Sequence, residues 1–225
     1  MKLKLSSPQR GESGLLDLFV MLIAVALVAL LFLPVIAKRR ARSSGIGCAN
    51  NLKQIAVSVW MWSDDNGGRP PSHVPTKEGG AQELIEAGSV AGYFMVMSNE
   101  LGTPKIVACP DDPAHMPAAD FGTLRETNIG YFVVPEAGRA ITNLWLSGDR
   151  HLATNRVPLK PGLFNMPTKG LVNWSDKLDI NHRYLCYADG HVDNPSSTKL
   201  ESSAINAVKA YREATTNTSF RLVIP

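Results

Sequence analysis

Hydrophobic and polar positions divide the chain into three stretches. From Leu18 to Ala37 no residue is charged, and Leu, Val, Ile, Ala, Phe and Met fill the run apart from Pro34. Twenty helical residues rise about 30 Å, the hydrocarbon thickness of a bilayer, so this run predicts a transmembrane helix over 15–40. The apolar core is longer than that of a cleavable secretory signal, and a basic cluster rather than a small-residue cleavage site follows it. Beyond Gly45 and Gly47 the pattern becomes periodic. Cys48, Leu52, Ile55, Val59 and Trp62 recur at three- and four-residue intervals, which predicts an amphipathic extension of the helix over 41–66. Asp64, Asp65, Asn66, Gly67 and Gly68 end it, and Pro70 and Pro71 follow.

The third stretch, 67–225, carries short signals. A short helix is predicted within Gly79–Ala87, and Tyr93–Met97 fits either helix or strand. Lys105–Cys109, Asn128–Val134, Asn143–Leu146 and Arg183–Ala188 read as strands, the last turning at Asp189 and Gly190 into a hairpin with His191, Val192 and Asp193. Residues 149–176 are polar and weakly patterned, which predicts a long irregular excursion. Ser197–Arg212 places Leu200, Ala204, Val208 and Tyr211 on one helical face, and Phe220–Pro225 can add an edge strand. The predicted fold class is therefore α+β: a long N-terminal transmembrane and amphipathic helix packed on a small, mostly antiparallel sheet. Residues 1–14 form a basic, leader-like segment ahead of it.

Composition narrows the picture. The chain has 225 residues, room for one substantial domain once the apolar segment is set aside. Net charge is +3, and Lys38, Arg39, Arg40 and Arg42 more than account for it, so the body is near neutral and nucleic acid is not expected as a partner. Lys2, Lys4 and Arg10 precede the apolar run, a basic count too similar on its two sides to orient it. The three cysteines Cys48, Cys109 and Cys186 have no metal-ligand spacing. One disulfide and one free thiol is the simplest arrangement for a body outside the cytoplasm. Cys48 with Cys109 is the preferred pair, although spacing does not fix connectivity.

Candidate chemistry is sparse. Oxygen-rich turns suit calcium, and two qualify by composition: Asp64, Asp65 and Asn66, and Asp189, His191, Asp193 and Asn194. The second is the candidate metal site, through Asp189, His191 and Asp193, although turn-forming explains the same residues. His182 and His191 could approach across a hairpin near Cys186 or Asp189. No G-x-S-x-G, HExxH or phosphate-binding glycine loop occurs, so neither an enzyme nor a bound cofactor is expected.

Several stretches together resemble known proteins: Leu15 and Leu16, the apolar run to Pro34, Ala37 to Arg42, Cys48, NNLKQ at Asn50–Gln54, VMSNELGTPKIVACPDD, NIGYFVV, LSGDR, YLCYADGHV and FRLVIP. The chain is similar to bacterial type IV prepilins and type II secretion pseudopilins, in particular a group from Verrucomicrobia and Planctomycetes with a C-terminal histidine and DG turn. The resemblance implies a pilin-like, non-enzymatic subunit in the bacterial inner membrane, single-pass, with a cytoplasmic N-terminus and a periplasmic C-terminal domain. Its partners would be the inner membrane, other pseudopilin subunits, further copies of itself and the secretion machinery. Processing and N-methylation would fall among Gly11, Glu12, Ser13, Gly14 and Asp17. Aligned on Pro34, Ser13 is the first mature residue and Asp17 takes the place of the family glutamate, while Glu12 stands where the leader glycine belongs. His182 and Asp189 are closer together than the histidine and DG of that group. The alternative is an unprocessed, membrane-anchored periplasmic domain that binds a protein or glycan outside a filament. A third option is an anchored hydrolase using His182, His191 and Asp189.

Overall fold

The structure, a computed structural model, describes residues 13–112, 115–167, 172–175 and 183–225. The chain divides into two compact units, Met1–Ser43 and Ser44–Pro225. Helix α1 (Ser13–Asp65) contributes to both and passes through Gly45 and Gly47.

In the first unit, the described side chains from Leu16 to Leu30 are exposed and, Asp17 apart, apolar. The expected membrane helix over 15–40 is corrected by a separate finding. Among the described residues no helix is long and apolar enough to cross a membrane. The transmembrane part of the predicted fold class is thereby overturned. With it goes the expected localisation: an inner-membrane pass separating a cytoplasmic N-terminus from a periplasmic domain.

In the second unit, α1 buries the expected stripe of Cys48, Leu52, Ile55, Val59 and Trp62, with Leu52 and Ile55 wholly covered. Three short helices follow, α2 (Gln82–Glu86), α3 (Val90–Val96) and α4 (Ser98–Leu101). Tyr93–Met97 thus resolves mainly as helix, capped at its start by the Ser89 hydroxyl, which accepts from the Gly92 amide. The strand expected over Lys105–Cys109 is a 3-10 turn, Pro104–Val107. Pro104 has no amide to lend to a ladder, and the Thr103 hydroxyl accepts from the Lys105 amide instead.

Among the described residues nine strands follow: β1 (Tyr131–Val133), β2 (Trp145–Asp149), β3 (Leu152–Thr154), β4 (Val157–Pro158), β5 (Gly162–Asn165), β6 (Val172–Trp174), β7 (Leu185–Tyr187), β8 (Val192–Asp193) and β9 (Arg221–Ile224). They form a six-stranded sheet ordered β5-β9-β1-β2-β7-β8 and a three-stranded sheet ordered β4-β3-β6, with every pairing antiparallel. Two expectations change. The region 149–176 is strand-bearing rather than irregular, and the segment expected at a sheet edge, β9, lies inside the sheet between β5 and β1. Helix α5 (Ser197–Ala214) buries Leu200, Ala204, Val208 and Tyr211, the face its spacing predicts. Tyr211, Phe220, Trp145 and Phe132 succeed one another at ring separations of 6.1–6.2 Å, linking α5 to the sheet interior.

Candidate functional site

In the first unit, Gly14 and Asp17 are exposed on α1, and nothing lies within 4 Å of the position a Gly14 side chain would take. Ser13 is the first residue of α1, whereas Gly11 and Glu12 lie outside the described residues. The large exposed side chains include Leu16, Leu18, Phe19, Val20, Met21 and Leu22 without a break after Asp17, then Ile23, Val25, Leu27, Val28 and Leu30. With 3.6 residues per turn, such a run puts apolar groups on every side of the helix rather than along one stripe.

In the second unit, α1 is fixed by covalent and polar contacts. Cys48 and Cys109 form a disulfide with a Cα–Cα distance of 5.0 Å. Around it, the Asn51 amide donates to the Ala108 carbonyl at 2.9 Å, the Tyr131 hydroxyl to the Cys48 carbonyl at 3.3 Å, and the Ser58 hydroxyl to the Glu100 carbonyl at 3.1 Å. Burial pushes the Tyr131 phenol far above its ordinary range, so it remains a donor. Gly130 permits this approach, because a Cβ there would lie 2.9 Å from the Cys109 nitrogen.

The DG turn packs on the same helix. Gly190 has φ +82°, and an added Cβ would sit 2.4 Å from the Trp60 ring. The guanidinium of Arg139 lies over that ring at 5.2 Å and pairs with Asp64 at 3.0 Å. Two constraints therefore call for glycine after Asp189: a left-handed backbone and contact with an indole edge. Of the expected metal ligands, Asp189 and His191 are brought together, since one Asp189 oxygen accepts from the His191 amide at 3.0 Å and from its Nδ1 at 2.6 Å. Asp193 instead accepts from the Asn194 amide at 2.7 Å. His182 lies outside the described residues. Among the described residues no group of three or more His, Cys, Asp and Glu side chains is arranged to hold a metal ion.

A polar cluster that the sequence reading missed lies at the end of β2. Asp112 meets Nδ1 of His115 at 2.7 Å. Asp149 accepts from the His151 amide at 2.9 Å and from its Nδ1 at 2.8 Å, and Nε2 of His151 lies 3.9 Å from Asp112. Both carboxylates are nearly buried. Arg150 donates to the Ile129 carbonyl at 3.1 Å. Burial lowers its affinity for a proton, while Asp112, Asp149 and Glu126 act in the opposite sense. The Arg150 guanidinium beside two buried carboxylates offsets part of their charge in a dry environment, and the imidazoles occupy further acceptor positions of the carboxylates. The cluster joins the loop after Cys109 to the end of β2. Its sequence trace is the pair of short polar runs CPDD and GDRH, which periodicity does not connect.

Cys186, near the metal candidate in sequence, is buried in β7, and burial pushes its thiol up to about 12. Ionised thiol is scarce at neutral pH, so this cysteine is a poor nucleophile. No family model, curated protein or solved structure matches the chain.

Proposed function

We propose that the chain is a structural, non-enzymatic subunit of a pseudopilin-like assembly, of the type II secretion or type IV pilus kind. Its first unit would pack against the same segment of other subunits. The observation that carries this reading is the exposed apolar surface of α1 between Leu16 and Leu30. A helix that is apolar on all sides gains by being enclosed, and each large side chain fully covered contributes about 1.5–3 kcal/mol. The disulfide and hydrogen bonds around Cys48 and Asn51 are compatible with the same reading, since they fix the later part of α1 within the second unit. The block-wise resemblance to pseudopilins gives the class of assembly.

The test places a photo-crosslinking amino acid at Val20 and at Leu27 in the full chain and irradiates it in the producing cell. Crosslinks between copies, or to another filament subunit, are the expected outcome. Leu22→Lys with Val25→Lys should abolish them and leave the disulfide intact, because a buried ammonium in a helix bundle is costly. Adducts to lipid alone, or none at all, would refute assembly through this surface.

A further inference from the structure

We propose that the groove between α5 and the β7–β8 hairpin is a binding site for a neutral carbohydrate, independent of the assembly surface on α1. The groove has a volume of about 530 Å3 and includes Asn143, Tyr187, His191, Lys199 and Asn206 in its walls. That volume accommodates a few sugar rings and falls within the range of small-molecule sites.

Its aromatic part is fixed in place before any ligand arrives. Tyr187 and His191 stack with centroids 4.1 Å apart and planes 9° from parallel. The Tyr187 hydroxyl meets the Ser203 hydroxyl at 2.7 Å, and Ser203 also accepts from the Trp145 indole at 2.8 Å. Asp189 holds His191 through Nδ1, which leaves Nε2 as an acceptor in the neutral ring. One face of the imidazole rests on Tyr187, while the side chain as a whole is 54% exposed. His191 lines the groove, so its remaining exposed surface can serve as a flat platform on which the C–H face of a pyranose packs.

The polar part suits hydroxyl groups. Asn143 and Asn206 are exposed and each bring an amide donor and acceptor, and the Lys199 ammonium adds donors. A sugar hydroxyl both donates and accepts, so a mixed set recognises it better than a set of one kind. Charge argues against an anionic ligand. Lys199 and Lys209 are offset by Glu213, which lies 3.9 Å from Lys209, and by Asp189 and Asp193 on the adjoining hairpin. With these carboxylates beside the two lysines, the groove and its hairpin carry no excess of positive charge to draw an anion. This site gives the DG turn a purpose beyond folding, because Asp189 and Gly190 set the position of the platform histidine.

The experiment uses the full chain, kept in solution by a detergent without a sugar headgroup. Saturation-transfer NMR and titration calorimetry are run with four neutral tetrasaccharides (maltotetraose, cellotetraose, mannotetraose and chitotetraose) and with tetragalacturonate as the acidic control. At least one neutral probe should bind with a Kd of about 1 mM or tighter. His191→Ala and Asn206→Ala should each weaken it about tenfold or more, with melting temperature and circular dichroism unchanged. Asn206 is exposed on α5, so its loss tests recognition without disturbing the fold. No binding by any neutral probe up to about 10 mM would overturn the proposal, as would equal binding by both variants or preference for tetragalacturonate.

Discussion

Cys186 shows at the residue scale how burial decides chemistry. The thiol sits in β7, and desolvation raises its proton affinity from the ordinary value of 9.0 to about 12. The folded chain therefore keeps this proton while the unfolded chain gives it up. Below pH 9 both states are protonated and the group is neutral for stability. Between pH 9 and 12 the unfolded state alone ionises, so stability falls as pH rises through that window. Iodoacetamide at about pH 8 should leave the native chain unmodified, and in denaturant without reductant it should label one thiol per chain, found by mass spectrometry at Cys186. Labelling of the native protein, or three labels after denaturation, would contradict the buried thiol and the Cys48–Cys109 bond respectively.

Among the elements, the β3–β4 hairpin turns through Asn155 and Arg156, with φ of 51° and 66°. Two successive left-handed residues make the tight hairpin turn that matches strand twist, and asparagine tolerates the first position well. Arginine at the second meets a steric cost of about 1–2 kcal/mol that glycine does not. Arg156→Gly should therefore raise stability by about 1 kcal/mol, read as a higher denaturant midpoint at unchanged m-value. An unchanged or lower midpoint would show that the Arg156 side chain contributes more than its backbone costs.

This turn also explains why part of the fold could not be read from the sequence. Asp189-Gly190 announces its hairpin because glycine is diagnostic of a left-handed turn, whereas Asn155-Arg156 carries no such mark, so β3 and β4 merged into an apparent loop. The α1 stripe from Cys48 to Trp62 and the buried face of α5 were legible because a 3.6-residue period survives whatever the helix packs against. Strand position was not. Phe220 to Pro225 reads as a strand by residue type, but only the unforeseen β5 turns β9 from an edge into an interior strand. The Asp112–His115 and Asp149–His151 pairs are local in sequence, yet their meeting depends on the loop after Cys109 reaching the end of β2. Of the candidate site, the DG turn was visible as geometry. Its contacts with Trp60 and its stacking of His191 on Tyr187 are tertiary facts.

For the molecule as a whole, the covalent link matters most where the chain is longest between contacts. The Cys48–Cys109 bond spans 61 positions and connects α1 to the segment that leads into the Asp–His cluster. A loop of that size restricts the unfolded ensemble by about 4 kcal/mol in the chain-entropy account. The double variant Cys48→Ser with Cys109→Ser should lose about that much stability in equilibrium denaturation, and reductant should lower the melting temperature of the parent but not of the variant. Equal melting with and without reductant in the parent would mean that the bond carries no stability.

The interior place of β9 has a consequence for how the protein is made. Val133 pairs with Val223, so the central strand β1, already paired with β2 on one side, lacks its second neighbour until residues 90 positions later have left the ribosome. At about 5–20 residues per second, that is an interval of about 5–18 s during which one side of β1 stays open. The apolar α1 has by then long been synthesised, so a nascent chain displays a bare strand and a sticky helix together. A holding chaperone acting early in translation, or a slowed ribosome late in the message, would determine how much of this protein reaches its folded state.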